Sequence, residues 1–189
     1  MIVGVLLAAG QSTRFAGGTK LLAEVDGDPI VVRAARTLCG SPVEACLAVL
    51  GHEADRVGPA LADLPIETTV NPAYAEGQAT SVRRGVEWAA DRGAEAVVLA
   101  LGDMPWVTPA TYEALIAAFR DGADIVVPEY RGQRGNPVVF GASHFEALRA
   151  VEGDAGGRQL FEAHAVTRVP VEDAGVCRDV DEPEDLDAA

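Results

Sequence analysis

The chain has 189 residues, 49% of them hydrophobic and 5% aromatic, with 29 Asp and Glu against 15 Lys and Arg. That length buries a substantial core as one domain, over 1–189, without disulfides or metal staples. A net charge of −14 with no Lys/Arg cluster excludes nucleic acid and anionic membranes as partners, and the absence of a long apolar run predicts a cytoplasmic protein with no membrane span.

In chain order, apolar stretches predict strands over 2–7, 43–49, 66–70, 96–101 and 125–127. They alternate with helical patterns over 31–38, 54–62, 82–90 and 109–119, which predicts an α/β layered fold around a mainly parallel sheet. After Pro128 the rhythm changes: 130–136 is polar, 138–140 is a short strand, and 153–157 is glycine-rich. This second half is expected to form a strand or hairpin insertion over one edge. Cys39, Cys46 and Cys177 have no C-x-x-C partner and are expected as buried thiols. His52, His144 and His164 lack metal spacing and are expected to be structural.

In open parallel sheets ligands sit beyond the carboxyl ends of the strands, so the loops after the first, third and fourth strands hold the candidate residues. The first is VGVLLAAGQSTRFAGGTK, 3–20. Leu7, Ala8, Ala9 and Gly10 end a buried strand in small residues that let backbone N–H groups approach an anion. Arg14 and Lys20 add the two positive charges a triphosphate needs. The spacing matches neither G-x-G-x-x-G nor a Walker loop. Because the protein is acidic, a divalent cation is the expected helper for such a ligand.

Asp103 ends an apolar strand in LALGDMPWV and has the oxygen chemistry to hold Mg²⁺. Asp179 and Asp181 lie two apart in CRDVDEPEDL and share one side of an extended segment; Asp181 also reads as part of a helix start. In GQATSVRRG, Ser81 reads equally as the cap of a helix starting at Val82 and as part of a loop, with Gly77, that offers hydrogen bonds to a base or ribose. Asn71 before Pro72 reads both as a plain turn and as an amide offered to a base edge. In GDAGGR, Gly153, Asp154 and Arg158 read as a phosphate-receiving segment or as a capped helix start.

Taken together and in order, LAAGQSTRFAGGTK, NPAYAEGQATSVRRG, LGDMPWV, RGNPVVF, GDAGGR and DVDEPEDL resemble the MobA-like nucleotidyltransferases, most closely the molybdenum cofactor cytidylyltransferase (MocA-like) branch. The resemblance implies a three-layer, Rossmann-like nucleotide-diphospho-sugar transferase fold with a mixed, mainly parallel sheet. It implies Mg²⁺-dependent transfer of CMP from CTP to molybdopterin cofactor, with Ala9 of L-A-A-G pointing to CTP. Carried over by position, Arg14, Lys20 and Asp103 become catalytic. Leu7, Ala8, Ala9, Gly10, Asn71, Gly77 and Ser81 join those three as nucleotide-binding residues. Asp103 and Asp181 become metal ligands, and Asn136, Pro137, Gly153, Asp154 and Arg158 shape the site of a phosphorylated pterin acceptor. Asn136 stands where the family often has histidine, and Glu182 where it often has threonine. A transient contact with a molybdoenzyme is implied as well. The alternatives are a guanylyltransferase or sugar-phosphate nucleotidyltransferase, an NAD(P)H-dependent reductase, and a non-catalytic cofactor carrier.

Overall fold

The computed structural model describes residues 1–11, 15 and 19–186. Its strands are β1 (Ile2–Ala8), β2 (Glu24–Val25), β3 (Asp28–Pro29), β4 (Ala45–Leu50), β5 (Glu67–Val70), β6 (Ala96–Leu101), β7 (Ile125–Tyr130), β8 (Gln133–Arg134), β9 (Val138–Gly141) and β10 (Thr167–Pro170). Helices α1 (Ile30–Cys39), α2 (Ala54–Ala60), α3 (Gln78–Asp91), α4 (Pro109–Arg120) and α5 (Phe145–Arg149) are interleaved with them. The main sheet runs β10-β7-β9-β6-β1-β4-β5, with β8 paired to β7 outside that path, while β2 and β3 form a separate ribbon.

Side chains alternate across the central strands with a period of two, and both faces are covered, as a sheet lined by helices requires. Along β1, Ile2, Leu6 and Ala8 join a core with Ala35 and Leu38 of α1, Val57 of α2 and Leu115 and Ile116 of α4. Val3 and Val5 join the opposite core, with Val82 and Val86 of α3 and Leu148 of α5. Each fully buried Leu, Ile or Val contributes about 1.5–3 kcal/mol, so the two cores hold three layers together. Gly85 lets α3 lie close on β1, since a Cβ there would stand 2.5 Å from Val5 Cγ1.

The expected mixed, mainly parallel sheet is present: β1 is parallel to β4 and β6, β4 to β5, and β7 to β10. The expected edge insertion is not. Strand β9 lies inside the sheet, antiparallel to both β6 and β7, and its residues Val138–Gly141 are all buried. A hydrophobic run of that kind, apolar on both faces, belongs to a central position. Helix α3 begins at Gln78, so Ser81 lies inside its first turn and is not the cap. Among the cysteines only Cys46 is buried; Cys39 and Cys177 are partly exposed. His144 is buried, with Nε2 3.0 Å from the Asp124 carboxylate and its ring packed edge-on against His164.

Parallel strands bring the carboxyl ends of β1, β4, β5 and β6 to one rim. Because β9 runs the other way, its start, with Asn136 and Pro137 before it, reaches that same rim.

Candidate active site

Strand β1 ends in Ala8 and passes into Ala9 and Gly10 along the floor of a cavity of about 380 Å³. Leu7, Ala8, Ala9, Gly10, Lys20, Gly77, Ser81 and Asp103, all singled out in the sequence, line it. The floor is narrow because small residues let its walls meet: a Cβ on Gly51 would stand 2.6 Å from Tyr74 and 2.8 Å from Ala9. The backbone N–H of Gly102 donates to Leu7 O at 2.9 Å, tying the Asp103 turn to the end of β1. Arg14 lies outside the described residues.

Lys20 opens a 3-10 turn that aims its ammonium at the carboxylates. Its Nζ is 2.8 Å from Asp103 Oδ2 and 2.9 Å from Asp181 Oδ1. The Lys20 and Asp103 side chains are only 12% and 22% exposed, so this pair is shielded where a surface pair would be screened by water. Burial alone would depress the Lys20 ammonium, but Asp103 and then Asp181 hold its pKa above the usual lysine value. Burial pushes the Asp103 carboxyl above the usual carboxylate range; Lys20 opposes the rise and the charge of Asp179 adds to it.

Asp181 reaches this place from the far end of the chain. Val180 N donates to Asp103 O at 2.9 Å, and the Val180 side chain is buried with Val25 and Ile30. Alternation along an extended segment then turns Asp179 and Asp181 to the side opposite Val180. Ligand oxygens of Asp103, Asp179 and Asp181 all lie within 4.8 Å of one another. Three carboxylates are the hard oxygen donors that Mg²⁺ or Mn²⁺ accepts, and Lys20, the cation already among them, marks the cluster as a place for positive charge. The donor set therefore fits a divalent ion.

The remaining sequence candidates divide between two roles. Asn71 is buried, and its amide donates to Thr80 Oγ1 at 2.8 Å and Ser81 Oγ at 3.0 Å while Ala73 N donates to its Oδ1. These bonds brace the turn between β5 and α3. Gly77 holds φ at +117°, a conformation L side chains rarely adopt. Gly153 O accepts from Ala79 N at 3.0 Å and Asp154 Oδ1 from Gln78 N at 3.4 Å, so the GDAGGR segment satisfies the first N–H groups of α3. Asp154 thus stands on the wall of the first cavity. Asn136 and Arg158 line a second cavity of about 230 Å³ with Arg134, Phe161 and Asp179. Pro137 is buried behind it. The guanidinium of Arg134 lies over the Phe161 ring, 4.5 Å from its centroid. Leu101 belongs to both cavities, so they adjoin at the end of β6.

Sequence reasoning missed Gln11, Tyr74 and Gln78, which line the first cavity, and Phe161 in the second, where Arg134 comes from the quoted RGNPVVF motif without having been singled out. Tyr74 and Gln78 lie within the quoted NPAYAEGQATS stretch, whereas Phe161 carries no motif at all.

Residues 4–169 match the family model described as the MobA-like NTP transferase domain. The chain is 28% identical to the purine catabolism protein PucB of Bacillus subtilis (strain 168), over 98% of this chain and 94% of that protein. It is 31% identical to the nicotine blue oxidoreductase of Paenarthrobacter nicotinovorans, over the same shares. The likeness to the molybdenum cofactor guanylyltransferase of Rhodobacter capsulatus is 36%, covering 62% of this chain and 58% of that one. Among solved structures, the homologue of Mycobacterium tuberculosis Rv0371c from Mycobacterium sp. strain JC1 is 33% identical, with a TM-score of 0.84 over 98% of this chain and 93% of that chain. The manganese complex of Rv0371C from M. tuberculosis H37Rv is 28% identical, with a TM-score of 0.84 over 100% and 99%.

Proposed function

Because this chain belongs to the MobA-like NTP transferase family and is a nucleotidyltransferase, we propose that it transfers CMP from CTP to molybdopterin cofactor and releases pyrophosphate. The observation that carries this reading is the meeting of two adjoining cavities at the end of β6, one floored by the first loop and one walled by Arg134 and Arg158, with carboxylates between them. Such a site accepts a nucleotide on one side and an anionic acceptor on the other.

In this reading the backbone of Ala8, Ala9 and Gly10 orients the nucleotide, with Gly77 and Ser81 closing its far wall. Asn71 acts behind them by bracing Ser81. Lys20 and Arg14 bind the phosphates, where their charge favours the leaving pyrophosphate over the intact triphosphate. Asp103 and Asp181, with Asp179 beside them, would hold the divalent ion. That ion, Mg²⁺ in this proposal, supplies Lewis-acid neutralisation of phosphate charge when bound. Asn136 and Arg158 position the acceptor, with Pro137 beside Asn136, while Gly153 and Asp154 hold the start of α3 at the nucleotide side. An acceptor phosphate is already an anion, so no side chain is needed as a general base. In-line attack on the α-phosphorus is then a matter of positioning and charge. Ala9 favours CTP by the family resemblance, which also implies transient contact with a molybdoenzyme.

A second reading, an NAD(P)H-dependent reductase, is favoured by the full-length likeness to the nicotine blue oxidoreductase. The sequence lacks G-x-G-x-x-G after β1, which counts against it. Pyrophosphate release with CTP, GTP, ATP or UTP, each with Mg²⁺ and molybdopterin cofactor, is expected to be fastest with CTP. Preference for GTP would replace the cytidylyl assignment. NADPH oxidation without pyrophosphate would replace the transferase reading altogether.

A further inference from the structure

The carboxylate cluster joins two chain segments that are far apart in sequence, and its spacing depends on how they are held together. On one side is the turn after β6, with Asp103 and, three residues on, Trp106. On the other is the C-terminal segment, with Asp179 and Asp181 followed by the 3-10 turn Pro183–Leu186.

Asp185 faces backward from that turn. Its Oδ2 accepts hydrogen bonds from Asp181 N and Glu182 N, both at 2.8 Å. Its main-chain O accepts from Arg178 Nη2 at 3.0 Å, and the Arg178 guanidinium lies over the Trp106 ring, 3.5 Å from its centroid. A chain of contacts therefore runs from Asp181 through Asp185 and Arg178 to Trp106, and so back to the Asp103 turn. It is separate from the Lys20 link, which joins Asp103 to Asp181 directly. When a ligand draws Lys20 away, the Asp185 path and the Val180 N to Asp103 O bond still join the two segments beside the carboxylates.

We propose that Asp185, acting through the backbone of Asp181 and through Arg178 on Trp106, is a positioning residue that sets the spacing between Asp181 and Asp103 for a divalent cation. The inference rests on the metal role given to those carboxylates above. A one-ångström loosening matters because a small octahedral ion tolerates little departure from its ligand geometry. Asp185 itself makes both bonds to backbone N–H groups, so its work is geometric.

The test is titration of the full chain with Mn²⁺ alone, followed by electron paramagnetic resonance of the free ion, in wild type, Asp185→Ala, Asp185→Asn and Arg178→Lys. Asp185→Ala is expected to weaken Mn²⁺ binding about tenfold at a temperature well below its unfolding midpoint. Asp185→Asn keeps an acceptor oxygen without the charge and is expected to stay within about threefold of wild type. Arg178→Lys keeps the charge but loses the planar stack on Trp106, and is expected to fall between them. Wild-type Mn²⁺ affinity in Asp185→Ala overturns the proposal even if the unfolding midpoint drops. Equal loss in the Asn and Ala variants also overturns it, since charge would then be the cause. If Asp185→Ala does not fold, the Asn and Lys variants decide alone: wild-type affinity in Arg178→Lys, or a loss of tenfold or more in Asp185→Asn, overturns it. Wild type that binds no Mn²⁺ removes the metal role and the proposal together, whereas binding by wild type with no effect of the variants removes only the proposal.

Discussion

Replacing Lys20 with Met keeps the length of the side chain and removes its charge from between Asp103 and Asp181. In the structure the ammonium makes two charge-assisted contacts, at 2.8 Å with the shielded Asp103 and at 2.9 Å with the more exposed Asp181. A divalent ion entering between those carboxylates has to displace at least one of them. A hydrogen bond to a charged group is worth about 1.5–3 kcal/mol, and each 1.4 kcal/mol is about tenfold in affinity. Lys20→Met should therefore bind Mn²⁺ about ten- to a hundredfold more tightly than wild type when no nucleotide is present, while losing turnover because the phosphates have lost a cation. Isothermal titration with Mn²⁺, with and without CTP, measures both halves. The metal-free variant should also unfold at a lower temperature and recover on adding Mn²⁺, since Asp103 and Asp181 would lose the Lys20 ammonium with Asp179 still close by. Unchanged or weaker Mn²⁺ binding would refute the reasoning, because Lys20 would then not be competing for the cluster.

Asp103→Asn is expected to abolish turnover without lowering the unfolding temperature at neutral pH. Burial and Asp179 disfavour the Asp103 charge, so its folded pKa lies above the unfolded value. Stability linked to its protonation is present below the unfolded pKa and is lost as pH rises through the folded one; a fall of several degrees in the variant would show that the charge is instead supporting the fold. For the same reason, metal affinity in wild type should decline on acidification at a pH above the ordinary carboxylate range, which a pH series of Mn²⁺ titrations checks. Asp173→Ala should destabilise by about 3 kcal/mol, or roughly 6–12 °C. The buried Asp173 carboxylate accepts from Thr108 N, Thr108 Oγ1, Thr111 Oγ1 and Gly175 N, tying the start of α4 to the C-terminal segment. A loss below 1 kcal/mol in urea melts would mean that water replaces it. Gly85→Ala adds about 1 kcal/mol of helix propensity but forces a Cβ to 2.5 Å from Val5 Cγ1, where overpacking costs about 1–3 kcal/mol. A net loss is expected, and the Gly85→Ala effect should be smaller when measured in a Val5→Ala background; additive losses would place the strain elsewhere.

The central strands were legible because their hydrophobicity comes from local sequence: β1, β4 and β6 are unbroken apolar runs bounded by small residues. Strand β10 was not, since Thr167–Pro170 is mostly exposed at an edge and, among the described residues, pairs with β7 alone. The place of β9 inside the sheet was hidden as well, because an apolar tetrad specifies burial without saying between which strands. In the site, small residues after β1 and an aspartate after β6 pointed to their rim through the rule for parallel sheets. Asp173 escaped notice because it lies 65 residues from the Thr108 it binds, and Thr108 itself makes no side-chain cap bond to α4. Arg134 and Phe161 are brought together by a cation–π contact between separate segments, and no spacing within either one encodes it.

The most direct measurement follows the phosphorus atoms of CTP. With Mg²⁺, molybdopterin cofactor and CTP labelled at the α-phosphorus, the label should appear in a cofactor dinucleotide, while label at the γ-phosphorus should leave as pyrophosphate. Transfer of the γ-label to the acceptor, or retention of all the α-label in CTP while a nicotinamide cofactor is oxidised, would contradict the account.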